Sequence, residues 1–201
     1  MAGKNRNFGI VGVVLAGWLT AGAAEYQVDS TRSQVLFKVT HMGINTVTGR
    51  FGSFKGSFDV DPQHIENTKG SATIDVNSIS TDNTKRDNHL RSDDFFNAET
   101  FPQIKFVSKS VQNIHMEDST CDLVGDLSIR EVKQEITLNV KGGGITRDKQ
   151  GNERATFTAK GVINRFDFNL KWNKLMETGG LVVAPEVQLE LAFEGVHKAK
   201  K

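Results

Sequence analysis

The chain has 201 residues, a formal net charge of +1 at pH 7 and a single cysteine, Cys121. Basic and acidic residues are nearly balanced, and the largest basic group is the short tail over 198–201, so the electrostatic footprint of a nucleic-acid binder is missing. A lone cysteine cannot form an intramolecular disulfide, so stability must come from an ordinary apolar core. We interpret Cys121 as a small half-buried hydrophobe rather than as a reactive thiol. Thirteen phenylalanines, against one tyrosine and two tryptophans, offer large apolar area without a polar group.

The N-terminus has the layout of a secretory signal peptide. Lys4 and Arg6 precede an uncharged, mostly apolar stretch that runs to Leu19, and small residues follow. Spanning a bilayer takes about 20 predominantly apolar residues, and this stretch is shorter and interrupted by glycines, so an uncleaved anchor is the weaker alternative. We expect cleavage after Ala23 or Ala24, export to the periplasm and no stable membrane insertion. The predicted organisation is a signal peptide over 1–24, one domain over 25–197 and a basic tail over 198–201.

Strict alternation of apolar and polar residues dominates the chain after the predicted signal peptide. At least eight such runs recur, separated by turn-forming pieces such as Asp61-Pro62. Period-two alternation is typical of strands with one dry face and one wet face. The apolar positions of the runs are Val35, Phe37 and Val39; Phe54, Gly56, Phe58 and Val60; Ala72, Ile74 and Val76; Ile104 and Phe106; Leu123, Gly125, Leu127 and Ile129; Ile136, Leu138 and Val140; Ala155, Phe157, Ala159, Gly161 and Ile163; and Val187, Leu189, Leu191 and Phe193.

Many short antiparallel strands must hide their edges, and closure into a barrel removes the edges. The pattern therefore predicts an all-β fold, an extended antiparallel eight-stranded β-barrel whose interior could hold one small ligand. A two-sheet sandwich is the alternative, because patterning alone separates the two poorly. An outer-membrane barrel is disfavoured, since outward positions such as Lys38, Asp59 and Asn139 are polar.

One segment, from Thr81 to Phe96, breaks the alternation. It begins with residues that favour a helix N-cap and is rich in charged and polar side chains. We predict one or two short helices between barrel strands, ending before Phe101 and Pro102.

Few side chains suggest catalysis or metal binding. His41 ends the first predicted strand and could meet a polar ligand head if its ring points inward; the favoured alternative is a rim histidine without a role. The cluster Arg86, Asp87 and His89 could form a ligand-head or gating site. The alternative for the cluster, an ion pair that fixes the helix to the barrel, is favoured. The histidines lack metal-site spacing, and no nucleophile elbow or phosphate-binding glycine loop occurs, so we expect no enzyme activity, no metal and no cofactor.

Four motifs resemble signatures of the YceI family. They are Phe37-x-x-x-His41-x-Gly43 continuing to Gly49-x-Phe51-x-x-Phe54-x-Gly56, then Arg86-Asp87-x-His89-Leu90 with Asp94-Phe95-Phe96 and Phe101-Pro102-x-Ile104-x-Phe106-x-Ser108, then Gly125-Asp126-Leu127-Ser128-Ile129, and finally Ile163-Asn164-Arg165-x-Asp167-Phe168. Matches of this kind run from about Val28 to Phe193. The resemblance implies a lipocalin-like barrel that binds polyisoprenoids.

The resemblance also implies a function, that of a periplasmic carrier or sequestering protein for a long-chain isoprenoid or quinone-like lipid. An enzyme acting on isoprenoid lipids and an interaction module with a filled core are the alternatives, and a homodimer is a further expectation. The predicted ligand-binding positions, in the barrel interior and at its rim, are Phe37, Val39, His41, Phe51, Phe54, His89, Phe95, Phe96, Phe106 and Trp172.

Overall fold

The computed structural model describes residues 24–175 and 181–197. The predicted signal peptide, apart from Ala24, and the predicted basic tail lie outside the described residues. Within the described part, none of the helices has the length and apolar character needed to cross a membrane.

The described chain forms eleven strands, one α-helix and three short 3-10 helices. The strands are β1 (Ala24–Val28), β2 (Gln34–His41), β3 (Asn45–Phe51), β4 (Phe54–Val60), β5 (Lys69–Asp75), β6 (Ile79–Ser80), β7 (Gln103–His115), β8 (Thr120–Ile129), β9 (Val132–Arg147), β10 (Glu153–Asn164) and β11 (Val183–His197). The helix α1 covers Thr84–Arg91, and the 3-10 helices cover Ile65–Asn67, Val76–Ser78 and Arg165–Phe168.

A ring of eight antiparallel strands closes because β1 pairs on both sides. Its Tyr26 lies opposite Phe58 of β4, and its Val28 lies opposite Gly195 of β11. The ring order is β1, β4, β5, β7, β8, β9, β10 and β11, while β2, β3 and β6 extend the sheet from the edge of β11. This closure confirms the predicted all-β, eight-stranded antiparallel barrel and excludes the two-sheet sandwich.

Alternation decides which side chains point into the barrel. On β10, Ala155, Ala159 and Ile163 are buried, whereas Thr156 and Thr158 between them are exposed. The outward hydroxyl groups stay hydrated while the inward apolar groups are buried, as expected for a strand with one face in water. The dry face that the sequence predicts on β10 is therefore the inner face.

Strand β7 contains a bulge that shifts this alternation. Ser108 lies opposite Gly125 and Ser110 lies opposite Val124, so Lys109 is the extra residue. One extra residue reverses the faces beyond it. Val111 consequently faces the same way as Phe106, although the two are an odd number of residues apart.

Helix α1 and its flanking loops close one end of the barrel. The Asn83 side chain accepts a hydrogen bond from the backbone N–H of Arg86 at 3.0 Å, so it caps the helix as the sequence predicts. The core at this end is continuous from the strands to the loops, and its buried members are Val35, Phe51, Val76, Ile79, Ala98, Ile104, Leu127, Ile129, Ile163, Phe168, Leu170 and Phe193. We call this side of the molecule the closed end.

A buried arginine organises the segment that follows β10. The Arg165 guanidinium donates to the backbone carbonyls of Leu170, Trp172, Val183 and Ala184, at 2.9 to 3.1 Å for the last three. Burial lowers the pKa of Arg165. These bonds fold the segment from Arg165 to Trp172 back against the first residues of β11, where Phe168 and Leu170 complete the core.

Candidate ligand-binding cavity

The opposite half of the barrel is hollow. A cavity of about 340 Å³ lies between the strands, within the range of about 300 to 1,000 Å³ that is usual for small-molecule sites. Its apolar lining consists of Val28, Phe58, Val60, Pro62, Ile65, Ala72, Phe106, Val111, Ile114, Met116, Cys121, Leu123, Leu138, Val140, Ile145, Ala155, Phe157, Ala159, Leu191 and Phe193.

Polar groups of the lining concentrate where the strands end. Lys69 begins β5, His115 ends β7 and Thr120 begins β8, and all three residues line the cavity. Met116 and Ile145 are 63% and 37% exposed at the same end. We call this side the open end, and its mouth offers a polar rim above an apolar interior.

Phenylalanine rings run in a chain along one wall of the interior. The Phe58 and Phe157 ring centroids are 5.0 Å apart, those of Phe157 and Phe193 are 5.4 Å apart, and those of Phe193 and Phe54 are 5.9 Å apart. Phe157 lines the cavity and is only partly buried. An inward-facing ring that protein atoms leave partly uncovered is a surface on which an apolar ligand can pack.

Cys121 faces this interior as a free, half-buried thiol. Burial, with a smaller contribution from the Asp122 carboxylate, raises the pKa of the thiol. The sequence interpretation of Cys121 as a small half-buried hydrophobe agrees with this position. The thiol is therefore a chemical probe placed inside the cavity.

Only one of the ten predicted ligand-binding residues, Phe106, lines the cavity. Phe37, Val39 and His41 lie on β2, which pairs with the closed-end portion of β11. Phe51 and Phe54 pack into the closed-end core. Whether any of these five contacts a ligand stays a prediction.

The remaining four predicted positions meet at the closed end. His89, Phe95 and Trp172 form one aromatic group, with the His89 ring 5.1 Å from Phe95 and 4.8 Å from Trp172 between centroids. Phe96 packs edge-on against Phe51 at 6.1 Å. None of these residues belongs to the cavity lining.

The polar cluster at the start of α1 bonds to Thr81. The buried Asp87 carboxylate accepts from the Thr81 backbone N–H at 2.8 Å and from its hydroxyl at 2.5 Å. Arg86 donates to the Thr81 hydroxyl at 2.7 Å and to its carbonyl at 2.8 Å, and His89 pairs with Asp94 at 2.7 Å. These bonds join the helix to the residue that follows β6 and to its own flanking loop. Among the described residues Arg86 and Asp87 form no ion pair, so Thr81 takes the place of the predicted ion pair.

Most of the lining was not among the predicted site residues. Val111, Leu123, Val140, Phe157 and Leu191 line the cavity, and four of them stand on predicted apolar faces. Their apolar face was visible in the sequence, but the level along the barrel at which the interior stays open was not. Most of the phenylalanines chosen for the predicted site belong to, or pack against, the closed-end core.

Comparison with known proteins identifies the family. A family model, the YceI-like domain, matches residues 26–195. The chain belongs to the YceI family. Among its relatives, protein YceI of Salmonella arizonae is 35% identical over 195 residues, which cover 94% of this chain and 97% of the relative.

Two solved structures share the fold. The Campylobacter jejuni YceI protein is 31% identical, with a TM-score of 0.69 over 81% of this chain and 91% of its own. A polyisoprenoid binding domain from Saccharophagus degradans is 17% identical, with a TM-score of 0.62 over 86% of this chain and 98% of its own. At that identity the second likeness concerns the fold alone.

Proposed function

We propose that this YceI-family protein binds a lipophilic chain, a polyisoprenoid or a similar long-chain molecule, in the open half of its barrel. The observation that carries the proposal is the cavity of about 340 Å³ with an almost wholly apolar interior and a polar mouth. Such a site takes the hydrocarbon part of an amphiphile inside and leaves its head group in water. The protein then carries or sequesters a molecule that water alone would not dissolve.

Burial of hydrocarbon supplies enough free energy for binding without a polar anchor. Each buried CH₂ contributes about 0.8 kcal/mol, so a few isoprene units outweigh the cost of immobilising the chain. The polyisoprenoid binding domain of similar fold supports this choice of ligand class. The quinone-like head group and the homodimer are finer parts of the same proposal.

Two alternatives have less support. An enzyme acting on isoprenoid lipids would need an acid–base pair beside the ligand, yet the candidate groups His41, Arg86, Asp87 and His89 stand outside the lining. An interaction module with a filled core does not account for partly uncovered apolar rings such as that of Phe157 in the barrel.

Export to the periplasm is part of the proposal. Its support is the N-terminal layout of Lys4, Arg6 and the apolar stretch to Leu19. Intact mass of the protein from its native host tests it: a mature chain that begins at Ala24 or Glu25 is expected. A membrane-bound chain that retains Met1 would contradict export by cleavage.

The direct test is to extract lipid from protein purified from its native host and to identify it by mass spectrometry. We expect about one prenyl lipid per chain. Val140 lines the cavity, whereas Val162 is 60% exposed on the outer face of β10. Val140→Phe should therefore lose the lipid and Val162→Phe should keep it. Equal lipid in both variants, or no lipid in the native protein, would contradict the proposal.

A further inference from the structure

Exposed apolar side chains gather on two neighbouring loops beside the start of β11. The turn between β2 and β3 carries Met42 and Ile44, which are 52% and 87% exposed. The segment before β11 carries Leu175 and Leu181, which are 73% and 37% exposed. Half of the eight exposed large apolar residues in the described chain are therefore in this one place. We call these four residues the apolar patch.

Backbone hydrogen bonds hold the two loops side by side. The Met42 N–H donates to the Val182 carbonyl at 2.7 Å, and the Val182 N–H donates to the Lys174 carbonyl at 2.9 Å. Leu175 and Leu181 pair as an antiparallel bridge. The patch is therefore one continuous surface, and it lies at the closed end because β11 begins there.

Folding alone does not explain the apolar residues at the tip of the β2–β3 turn. Turns favour Gly, Asn, Asp, Ser and Pro, yet here Met42 and Ile44 flank Gly43. Met42 has a φ of 52°, in the left-handed region that favours glycine, and the Ile44 side chain gains almost no burial. A group of exposed apolar side chains that contributes little to the core is typical of a surface that binds a partner or a membrane.

The charges beside the patch indicate what covers it. With histidine neutral, Lys171 and Lys174 are the only charged residues in the described segments 40–46, 169–175 and 181–184, and both are exposed. Neither forms an ion pair with another described residue. A two-fold interface between copies of the chain would bring like charges together around the patch, whereas an anionic surface neutralises them. The lysines therefore favour an anionic partner over a second copy.

We propose that the apolar patch docks the protein on the surface of a bilayer that contains anionic phospholipids. Ile44 and Leu175 enter the boundary between head groups and acyl chains, while Lys171 and Lys174 contact the lipid phosphates. Because the apolar side chains stand on loop tips and not in a groove, a fluid lipid surface can surround them without a matching shape. Docking is peripheral and reversible.

This surface is separate from the cavity. The patch lies at the closed end, so the docked barrel keeps its open mouth turned away from the bilayer. The inference does not depend on the proposed function, because docking requires no lipid inside the barrel. Each of the two proposals can therefore fail without the other.

The contacts differ in how they respond to lipid charge and salt. Removal of one exposed Ile or Leu side chain from water strengthens binding by at least about tenfold. One lysine at an anionic surface contributes about fivefold, and salt screens that contribution. The account therefore predicts binding that needs both the apolar tips and an anionic surface.

The experiment measures co-sedimentation of protein, purified from its native host, with two kinds of vesicle. At low salt, partition onto phosphatidylcholine vesicles with about 30% phosphatidylglycerol should exceed partition onto pure phosphatidylcholine at least about tenfold. The excess should vanish in about 0.5 M sodium chloride. Equal partition onto the two vesicles, or binding to neither, would overturn the proposal.

Variants of the apolar tips test whether the patch makes the contact. Ile44→Ser combined with Leu175→Ser should weaken binding to the anionic vesicles at least about tenfold and leave urea unfolding unchanged, because both side chains are exposed. Val162→Ser, on the outer face of β10, is the control and should bind as the native protein does. Native-like vesicle binding by the double variant would overturn the role of the patch, as would loss of a dimer, measured by light scattering, in its place.

Variants of the lysines test the preference for anionic lipid. Lys171→Gln combined with Lys174→Gln should lower the ratio of anionic to neutral vesicle binding by at least about tenfold. Lys141→Gln combined with Lys149→Gln removes two exposed lysines outside the patch and should keep the native ratio. An equal effect of the two double variants would overturn the assignment of the charge contact to the patch.

Discussion

The ring of Phe106 lies across Gly125, and a β-carbon at position 125 would stand 2.5 Å from the Cζ atom of that ring. The same β-carbon would stand 2.6 Å from the backbone oxygen of Val107. The absence of a side chain at Gly125 therefore lets the Phe106 ring lie against the barrel wall. A ring in that position lines the cavity and leaves its centre open.

Gly125→Ala should narrow the cavity. The new methyl group must displace the ring or the neighbouring strand, and overpacking of this kind costs about 1 to 3 kcal/mol of unfolding free energy. We expect weaker binding of geranylgeraniol, a C20 prenol, measured by vesicle partition, together with that loss in urea unfolding. Gly52→Ala is the matched control because its β-carbon would meet only the Ser78 oxygen, at 3.8 Å. Undiminished binding by Gly125→Ala would contradict the role of this contact.

Phe106→Ala and Phe168→Ala should affect the protein differently. Phe106 is a partly buried cavity wall, whereas Phe168 is 1% exposed in the closed-end core. Truncation in a filled core typically costs about 3 to 5 kcal/mol, and we expect that loss for Phe168→Ala only. Delipidated Phe106→Ala should lose less stability but bind a long-chain quinone more weakly. A large stability loss with unchanged affinity would refute the wall assignment for Phe106.

Cys121 should report occupancy of the cavity. The pKa of its thiol is raised, so the reactive thiolate is a smaller fraction at neutral pH than for an exposed cysteine. Alkylation by N-ethylmaleimide should be slow at pH 7, rise with pH, and slow at least about tenfold further once geranylgeraniol fills the cavity. Equal alkylation rates with and without the prenol would contradict this. Cys121→Ser should fold with at most a modest loss of stability.

Arg165→Met should destabilise the closed end. The substitution removes the Arg165 donor from the carbonyls of Leu170, Trp172 and Ala184, while the Val183 carbonyl keeps a hydrogen bond from the Asn173 side chain. Unpaired buried polar groups cost about 1 to 3 kcal/mol each. We expect a loss of at least about 3 kcal/mol in urea unfolding. Arg50→Met, which removes an exposed pair with Asp82, is the control and should cost at most about 1 kcal/mol. Equal losses for the two variants would contradict this account of Arg165.

The barrel itself could be predicted because its signal is local. Alternation identified the inner face of β10 through Ala155, Phe157 and Ala159, and the N-cap residues at the start of the Thr81–Phe96 segment indicated a helix there. These features depend on residues that are close together in the chain, so the periods of strands and helices can be read from the sequence alone.

The location of the cavity could not be predicted in the same way. Alternation tells which face of a strand is dry, but it does not tell at which level along the barrel the interior is filled. That level depends on distant segments, since Val76, Ala98 and Phe168 fill the closed end from a loop and two 3-10 helices outside the strands. The bulge at Lys109 likewise depends on the pairing of β7 with β8, so the inward position of Val111 was not visible in the sequence.

The most direct test of the central claim is to locate a bound chain by photo-crosslinking. A C20 prenol with a diazirine near its tail is bound, irradiated and mapped by peptide mass spectrometry. We expect adducts on the lining of the open half, at positions such as Phe106, Leu123, Leu138 and Leu191. Adducts confined to the closed-end group around Trp172, or spread over the outer surface, would contradict a ligand-holding cavity in the open half of the barrel.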